Sequence, residues 1–144
     1  MSLFSALSVG ASGMAAQRAR AEVLVENLAN AETTRTPEGG PYRRKDLVFE
    51  SSTVSSPFAS VFSSELQSLG GVAVSGVITD MSDPERRYLP GHPDADKDGY
   101  VAFPKINPAE DMVDLMGAAR SYGANVAAIS AIKDMIQRSL DLGR

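Results

Sequence analysis

A chain of 144 residues that is 43% hydrophobic has room for about one domain, and its formal charge of −4 gives no basic excess of the kind nucleic acid attracts. It contains no cysteine and a single histidine, His92, which removes disulfides, thiolate metal sites, histidine-based metal clusters and any catalytic triad needing a second histidine. No apolar run approaches the roughly 20 residues that span a bilayer, and the first residues lack the basic and continuous apolar regions of a secretory signal.

The first element reads as a long helix. Leu3, Phe4, Leu7, Gly10, Ala11, Met14, Ala21, Leu24, Val25 and Leu28 keep the three-then-four spacing of a coiled-coil-like face. Thr33, Thr34, Thr36, Pro37, Gly39, Gly40 and Pro41 then force a loop, which places the end of the helix near Ala31.

A strand is predicted over residues 42–49. Residues 50–71 are dense in serine, with Val54, Phe58, Val61, Phe62 and Leu66 scattered through them. This composition favours a loop that orders in a complex over a hairpin whose apolar positions meet a neighbouring subunit. Alternation returns at Val72, Val74, Gly76 and Ile78, a turn follows at residues 80–84, and short strands are predicted at 86–89 and 100–103. The basic clusters at Arg43, Arg44, Lys45 and at Arg86, Arg87 have no interleaved stacking aromatics, so they read as solvated strand faces.

Asp94, Asp96, Asp98 and Gly99 copy the first half of a calcium-binding EF-hand loop. The twelfth position, which needs a bidentate glutamate, is Lys105, Pro104 precedes it, and the flanks read as turn and strand instead of helices. A polar turn is the expectation, with His92 as a turn residue between Gly91 and Pro93. No residue set supplies nucleophile, base and stabiliser together, so no enzyme activity and no cofactor is expected.

The last element is a second long helix, predicted over residues 108–142. Asn107 stands at the N-cap, Pro108 at the first helical position, and Glu110 where a capping-box acid reaches back. Its stripe passes through Met112, Leu115, Met116, Ala119, Tyr122, Val126, Ile129, Ile136 and Leu140. At about 1.5 Å per residue it is roughly 50 Å long, more than a compact domain of this size requires. Gly10, Gly13, Gly117 and Gly123 lie inside the two helices, and each costs about 1 kcal/mol relative to alanine; close approach of a neighbouring helix is the usual reason for such glycines, and the alternative is an N-terminal stretch that is weak and frayed until neighbours supply stability. The fold class is therefore α+β. Long N- and C-terminal helices (residues 1–31 and 107–144) pack as a coiled-coil-like unit, with a small, mostly antiparallel β region at 32–106 between them.

Several runs carry a family resemblance. Ser12-Gly13-Met14-Ala15-Ala16-Gln17-Arg18, then Asn27-Leu28-Ala29-Asn30-Ala31 and Thr33-Thr34, resemble the N-terminal motif of the bacterial flagellar rod and hook proteins. Gly39-Gly40-Pro41-Tyr42-Arg43-Arg44-Lys45 with Phe49-Glu50, and Pro90-Gly91-His92-Pro93-Asp94-Ala95-Asp96 with Gly99-Tyr100-Val101, are similar to the proximal-rod members of that family. So are Met112-Val113-Asp114-Leu115, Arg120-Ser121-Tyr122, Ala124-Asn125-Val126 and Lys133. The chain departs at Glu26, where the family usually has a second asparagine, and in its serine-rich insert.

The resemblance implies a structural subunit of the proximal rod, exported by the flagellar type III apparatus without a cleaved signal. Such a subunit polymerises in the periplasm into the shaft that carries torque to the distal rod and hook. Implied partners are further copies of the chain, other rod proteins, and membrane-ring and export-gate components at the rod base. The candidate subunit-interface residues are Leu7, Met14, Leu24, Val25, Asn27, Leu28 and Asn30 on the first helix, with Met112, Leu115, Tyr122, Val126, Ile129 and Ile136 on the second. The amides of Asn27 and Asn30 either satisfy loose backbone groups nearby or bond across to the next subunit. A calcium-binding regulator and a generic coiled-coil adaptor are the competing classes, and the residues support both less well.

Overall fold

The computed structural model describes residues 3–53, 70–141 and 143. In chain order the elements are α1 (Leu3–Ala29), β1 (Lys45–Thr53), β2 (Gly70–Thr79), β3 (Glu85–Tyr88), β4 (Tyr100–Phe103) and α2 (Pro108–Asp141). β1 pairs with β2, and β3 pairs with β4, as two separate two-stranded sheets. The α+β class with helices at both ends follows. Residues 54–69, the centre of the serine-rich segment, fall outside the described residues. The edges of that segment are strand, since β1 runs on through Ser51 and Ser52 and β2 begins at Gly70. The strand boundary also shifts: β1 starts at Lys45, three residues later than expected, since Tyr42 is bonded through its N–H to the Thr33 carbonyl in the preceding turn.

The chain divides into two compact units. The first comprises Met1–Ala19, Val48–Gly76 and Ala118–Arg144. Here the glycines of α1 act as notches. A Cβ at Gly10 would lie 3.0 Å from Cγ1 of Ile129, and one at Gly13 would lie 3.1 Å from Nδ2 of Asn125. The contact descends on α2 as it ascends on α1, so the helices are antiparallel here, and Ala16 and Ala118 are buried. The Ser12 hydroxyl donates to the Val9 carbonyl at 2.8 Å and accepts the Val72 N–H at 3.1 Å, tying the start of β2 to the helix. Gly71 makes this approach possible, since a Cβ there would be 2.8 Å from the same hydroxyl oxygen.

The second unit comprises Arg20–Leu47 and Val77–Gly117. Leu24, Tyr42, Val101 and Phe103 are buried in it. β3 and β4 are antiparallel, with Glu85 opposite Phe103 and Tyr88 opposite Tyr100. Arg87 lies over the Phe103 ring, 4.8 Å from its centroid. The β1 and β2 ends belonging to this unit meet where the Asp80 N–H donates to the Arg44 carbonyl at 2.8 Å. Gly39 and Gly40 adopt φ of 91° and 77°, which glycine tolerates without steric cost, and the Thr36 N–H closes the loop on the Gly40 carbonyl.

Candidate assembly surface

The α2 start forms as its capping residues dictate. The Asn107 side chain accepts the Ala109 N–H at 3.2 Å, and Pro108 occupies the position where no amide donor is needed. The acid held in this first turn is Asp111 and not Glu110, which is exposed. Asp111 is 1% exposed and its carboxylate lies 3.0 Å from Nη1 of Arg44. Burial pushes the Asp111 carboxyl above the ordinary aspartate range, and the Arg44 charge only partly opposes this. Burial in turn works against the charge on Arg44, but Asp111 and Asp46 together hold its pKa above the usual value.

Asn27 is 0% exposed and is the hub of the second unit. Its Oδ1 accepts the Lys45 N–H and the Tyr42 hydroxyl, each at 3.0 Å, and its Nδ2 donates to the Lys45 carbonyl at 2.8 Å. Burial, followed by the charge of Glu26, pushes the Tyr42 hydroxyl up to about 12, so it remains a donor at any physiological pH. Glu26 is itself paired with the Lys45 ammonium, which gives the departure from the family's asparagine a local partner. Asn30 donates to the Glu26 carbonyl at 2.9 Å and receives the Thr33 hydroxyl at 3.1 Å. Both amides thus find backbone partners within their own chain.

The aspartate-rich turn is likewise occupied. Asp94 accepts the Thr34 hydroxyl at 2.8 Å and faces Arg35, while Asp96 accepts the N–H groups of Asp98 and Tyr100 at 2.9 and 2.8 Å. Gly99 sits at φ 82°, as the turn requires. Among the described residues, no group of three or more metal-ligating side chains is brought together.

The candidate interface residues separate into two sets. Leu24 and Asn27 are buried, Ile129 fills the Gly10 notch, and Leu7, Met14, Leu28, Asn30, Leu115 and Ile136 are half-buried. Val25, Met112, Tyr122 and Val126 are exposed. Along α2 the buried and half-buried positions Asp111, Leu115, Ala118, Asn125, Ile129, Ile132 and Ile136, with half-buried Asp114 beside them, keep a four-then-three spacing that is interrupted only where exposed Tyr122 stands. The side opposite that line carries large apolar residues in the open, including Val113 and Met116 at 62% and 65% exposure. Met135 and Leu140 are also exposed. These were missed as interface candidates, although plotting the helix at about 100° per residue places Val113 and Met116 opposite Ala118. Among the described residues, no helix is long and apolar enough to cross a membrane.

Two family descriptions match the chain: "Flagella basal body rod protein" over residues 7–35 and "Flagellar basal body rod FlgEFG protein C-terminal" over residues 97–142. They cover α1 with its following turn, and the last turn and strand with α2. Among similar proteins, the flagellar basal-body rod protein FlgC of Bacillus subtilis is 41% identical over 152 residues, covering 100% of both chains. The FlgC of Borreliella burgdorferi is 39% identical with 97% of each chain covered, and that of Salmonella typhimurium is 37% identical over the whole of both. With such identity sustained from end to end, and with both terminal helices matched as rod-protein segments, this chain belongs to the FlgC family of flagellar basal-body rod proteins.

Proposed function

We propose that the chain is a structural subunit of the proximal rod whose two terminal helices polymerise through the apolar faces that the single chain leaves open. The observation that carries this reading is α2: a 34-residue helix with one line of residues turned inward and Val113, Met116, Val126 and Leu140 left in solvent. Covering such a face removes apolar area from water at about 25 cal/mol per Å², and the helices gain in assembly what the free chain does not supply. In this reading the helices pack as a coiled-coil-like wall, further copies and other rod proteins are the neighbours, and the β unit makes lateral contacts. Buried seams resist twisting, which is what a torque-bearing shaft needs.

Export through the flagellar type III apparatus, assembly in the periplasm, and contact with membrane-ring and export-gate components at the rod base complete the proposal. They are supported by membership of the family. The test is Val126→Asp in a motile host, with secretion of the variant assayed separately. The exposed carboxylate is tolerated in the free chain but is buried unpaired in a helix seam, at a cost of several kcal/mol. Loss of motility and of rod incorporation with normal secretion is expected; working rods built from the variant would refute the reading.

A further inference from the structure

Three connecting stretches of the second unit meet around a shallow cavity of about 280 Å³, counting the part open to solvent. Enclosed sites for drug-sized ligands run from about 300 to 1,000 Å³, so this one has room for a side-chain head group. Pro41, Pro84 and Pro104 line it together with Arg43, Lys105 and Asp80. The prolines offer no N–H and have a fixed φ, so the walls are firm and the donors available are chiefly the side-chain cations. Arg43 is pinned on one side only. Its Nη1 donates to the Asp80 carbonyl at 3.3 Å and lies 3.7 Å from Sδ of Met81, both uncharged acceptors, while Nε and Nη2 make no bond among the described residues. That unused edge is the fork that matches a carboxylate with two parallel N–H···O bonds. Among the described residues, neither Arg43 nor Lys105 has a carboxylate at ion-pair distance, whereas the adjoining Arg44 is engaged by Asp111 and Asp46. Asp80 is the one acid in the lining, and its two oxygens accept the Ser82 N–H at 2.8 Å and the Ser82 hydroxyl at 2.9 Å. Those bonds, ahead of the Lys105 and Arg43 charges, hold its carboxyl below the ordinary aspartate range. In a chain with 18 acids against 14 lysines and arginines, two cations thus share one cavity whose single acid is already engaged by its own turn.

We infer that this cavity is a docking point for an acidic segment of a neighbouring rod protein, whose aspartate or glutamate carboxylate is held on the Nε and Nη2 edge of Arg43 with Lys105 as the second cation. This rests on the rod reading and adds a polar contact on the β unit to the apolar contacts of the helices. A small free carboxylate has the same head group but gains only an exposed ion pair, which is weak in water. A protein held through its other surfaces instead presents the carboxylate at high effective concentration, and the fork then selects where it sits.

Arg43→Glu and Arg43→Lys are each introduced into a motile host, with Lys97→Glu, exposed in the aspartate turn, as the control for net charge. Arg43→Glu is expected to keep secretion and the thermal midpoint of the free chain and to lower rod incorporation about tenfold or more, the scale of losing one charge-assisted pair. Arg43→Lys keeps the charge and loses the fork, so it is expected to fall between Arg43→Glu and wild type, while Lys97→Glu assembles normally. Motile revertants of Arg43→Glu are expected to carry an acid-to-base change in a rod protein, which identifies the docked segment. Normal incorporation of Arg43→Glu, an equal loss from Lys97→Glu, or revertants without any acid-to-base change would each overturn the inference. In the free chain, sodium acetate is expected to shift the Arg43 Nε–H resonance without saturating. Saturation at submillimolar acetate would assign the cavity to a small free carboxylate instead, and no shift would show that the edge is closed. Should Val126→Asp block rods while Arg43→Glu does not, this inference fails and the rod reading stands; if neither blocks them, both fail.

Discussion

The side-chain amide of Asn27 pairs with both peptide groups of Lys45, accepting its N–H at 3.0 Å and donating to its carbonyl at 2.8 Å. A helix side chain thereby takes the place of a neighbouring strand at the first residue of β1 and fixes where that strand begins. Replacing Asn27 by alanine strands the Lys45 peptide groups and the Tyr42 hydroxyl, and unsatisfied buried groups cost about 1–3 kcal/mol each. A loss of about 3 kcal/mol in urea unfolding of the free chain is expected. Asn27→Asp keeps the acceptors and loses the donor while burying a charge, so it is expected to be no milder. Wild-type stability in either variant would show that the amide does not organise the strand.

Gly10→Ala separates packing from propensity. Alanine favours the helix by about 1 kcal/mol, but its methyl would meet Ile129 Cγ1 at 3.0 Å and Cδ1 at 3.2 Å, and overpacking costs about 1–3 kcal/mol. Net destabilisation is expected for Gly10→Ala. In the double variant Gly10→Ala with Ile129→Val, removing one methyl at the contact is expected to recover part of it. The measurement is a thermal-melt cycle over the four proteins; strictly additive effects would count against a direct contact.

Stability should depend on pH through Asp111 in an unusual direction. Its folded-state pKa is raised above 3.8 by burial, so the folded chain takes up this proton before the unfolded chain does. The contribution of this carboxyl therefore increases as pH falls from neutrality through the folded pKa and levels off below the unfolded value. The stability difference between wild type and Asp111→Asn is expected to move in favour of wild type on acidification toward about pH 4. Movement in the opposite sense would mean that Arg44 outweighs burial. Arg44→Ala leaves the carboxylate without its cation 3.0 Å away and is expected to cost about 3 kcal/mol at neutral pH.

The aspartate turn is expected to behave as structure. Asp96→Ala removes the acceptor of two backbone N–H groups, from Asp98 and Tyr100, and a loss of about 1–2 kcal/mol follows. Asp98→Ala, whose carboxylate accepts no bond among those recorded in the turn, is expected to be milder. Calorimetric titration of the wild-type chain with calcium is expected to give no saturable heat; a micromolar isotherm abolished by Asp94→Ala would reassign the turn as a site.

The sequence by itself determined the two helices, the cap at Asn107, the short strands around the turns, and the rod-protein family. These rest on local signals: three-then-four periodicity, a side-chain oxygen two residues before a free N–H, glycines and prolines that break helices and form turns, and contiguous motifs. Tertiary structure alone decided which seam residues are spent inside the chain. Periodicity marks a helix's apolar stripe without saying what covers it, so Ile129 against Gly10 and exposed Val126 looked alike until α2 was placed beside α1. It also decided that Asn27 reaches Lys45, 18 residues away, and that Asp111 meets Arg44, because a buried polar group finds its partner through chain packing and not through spacing.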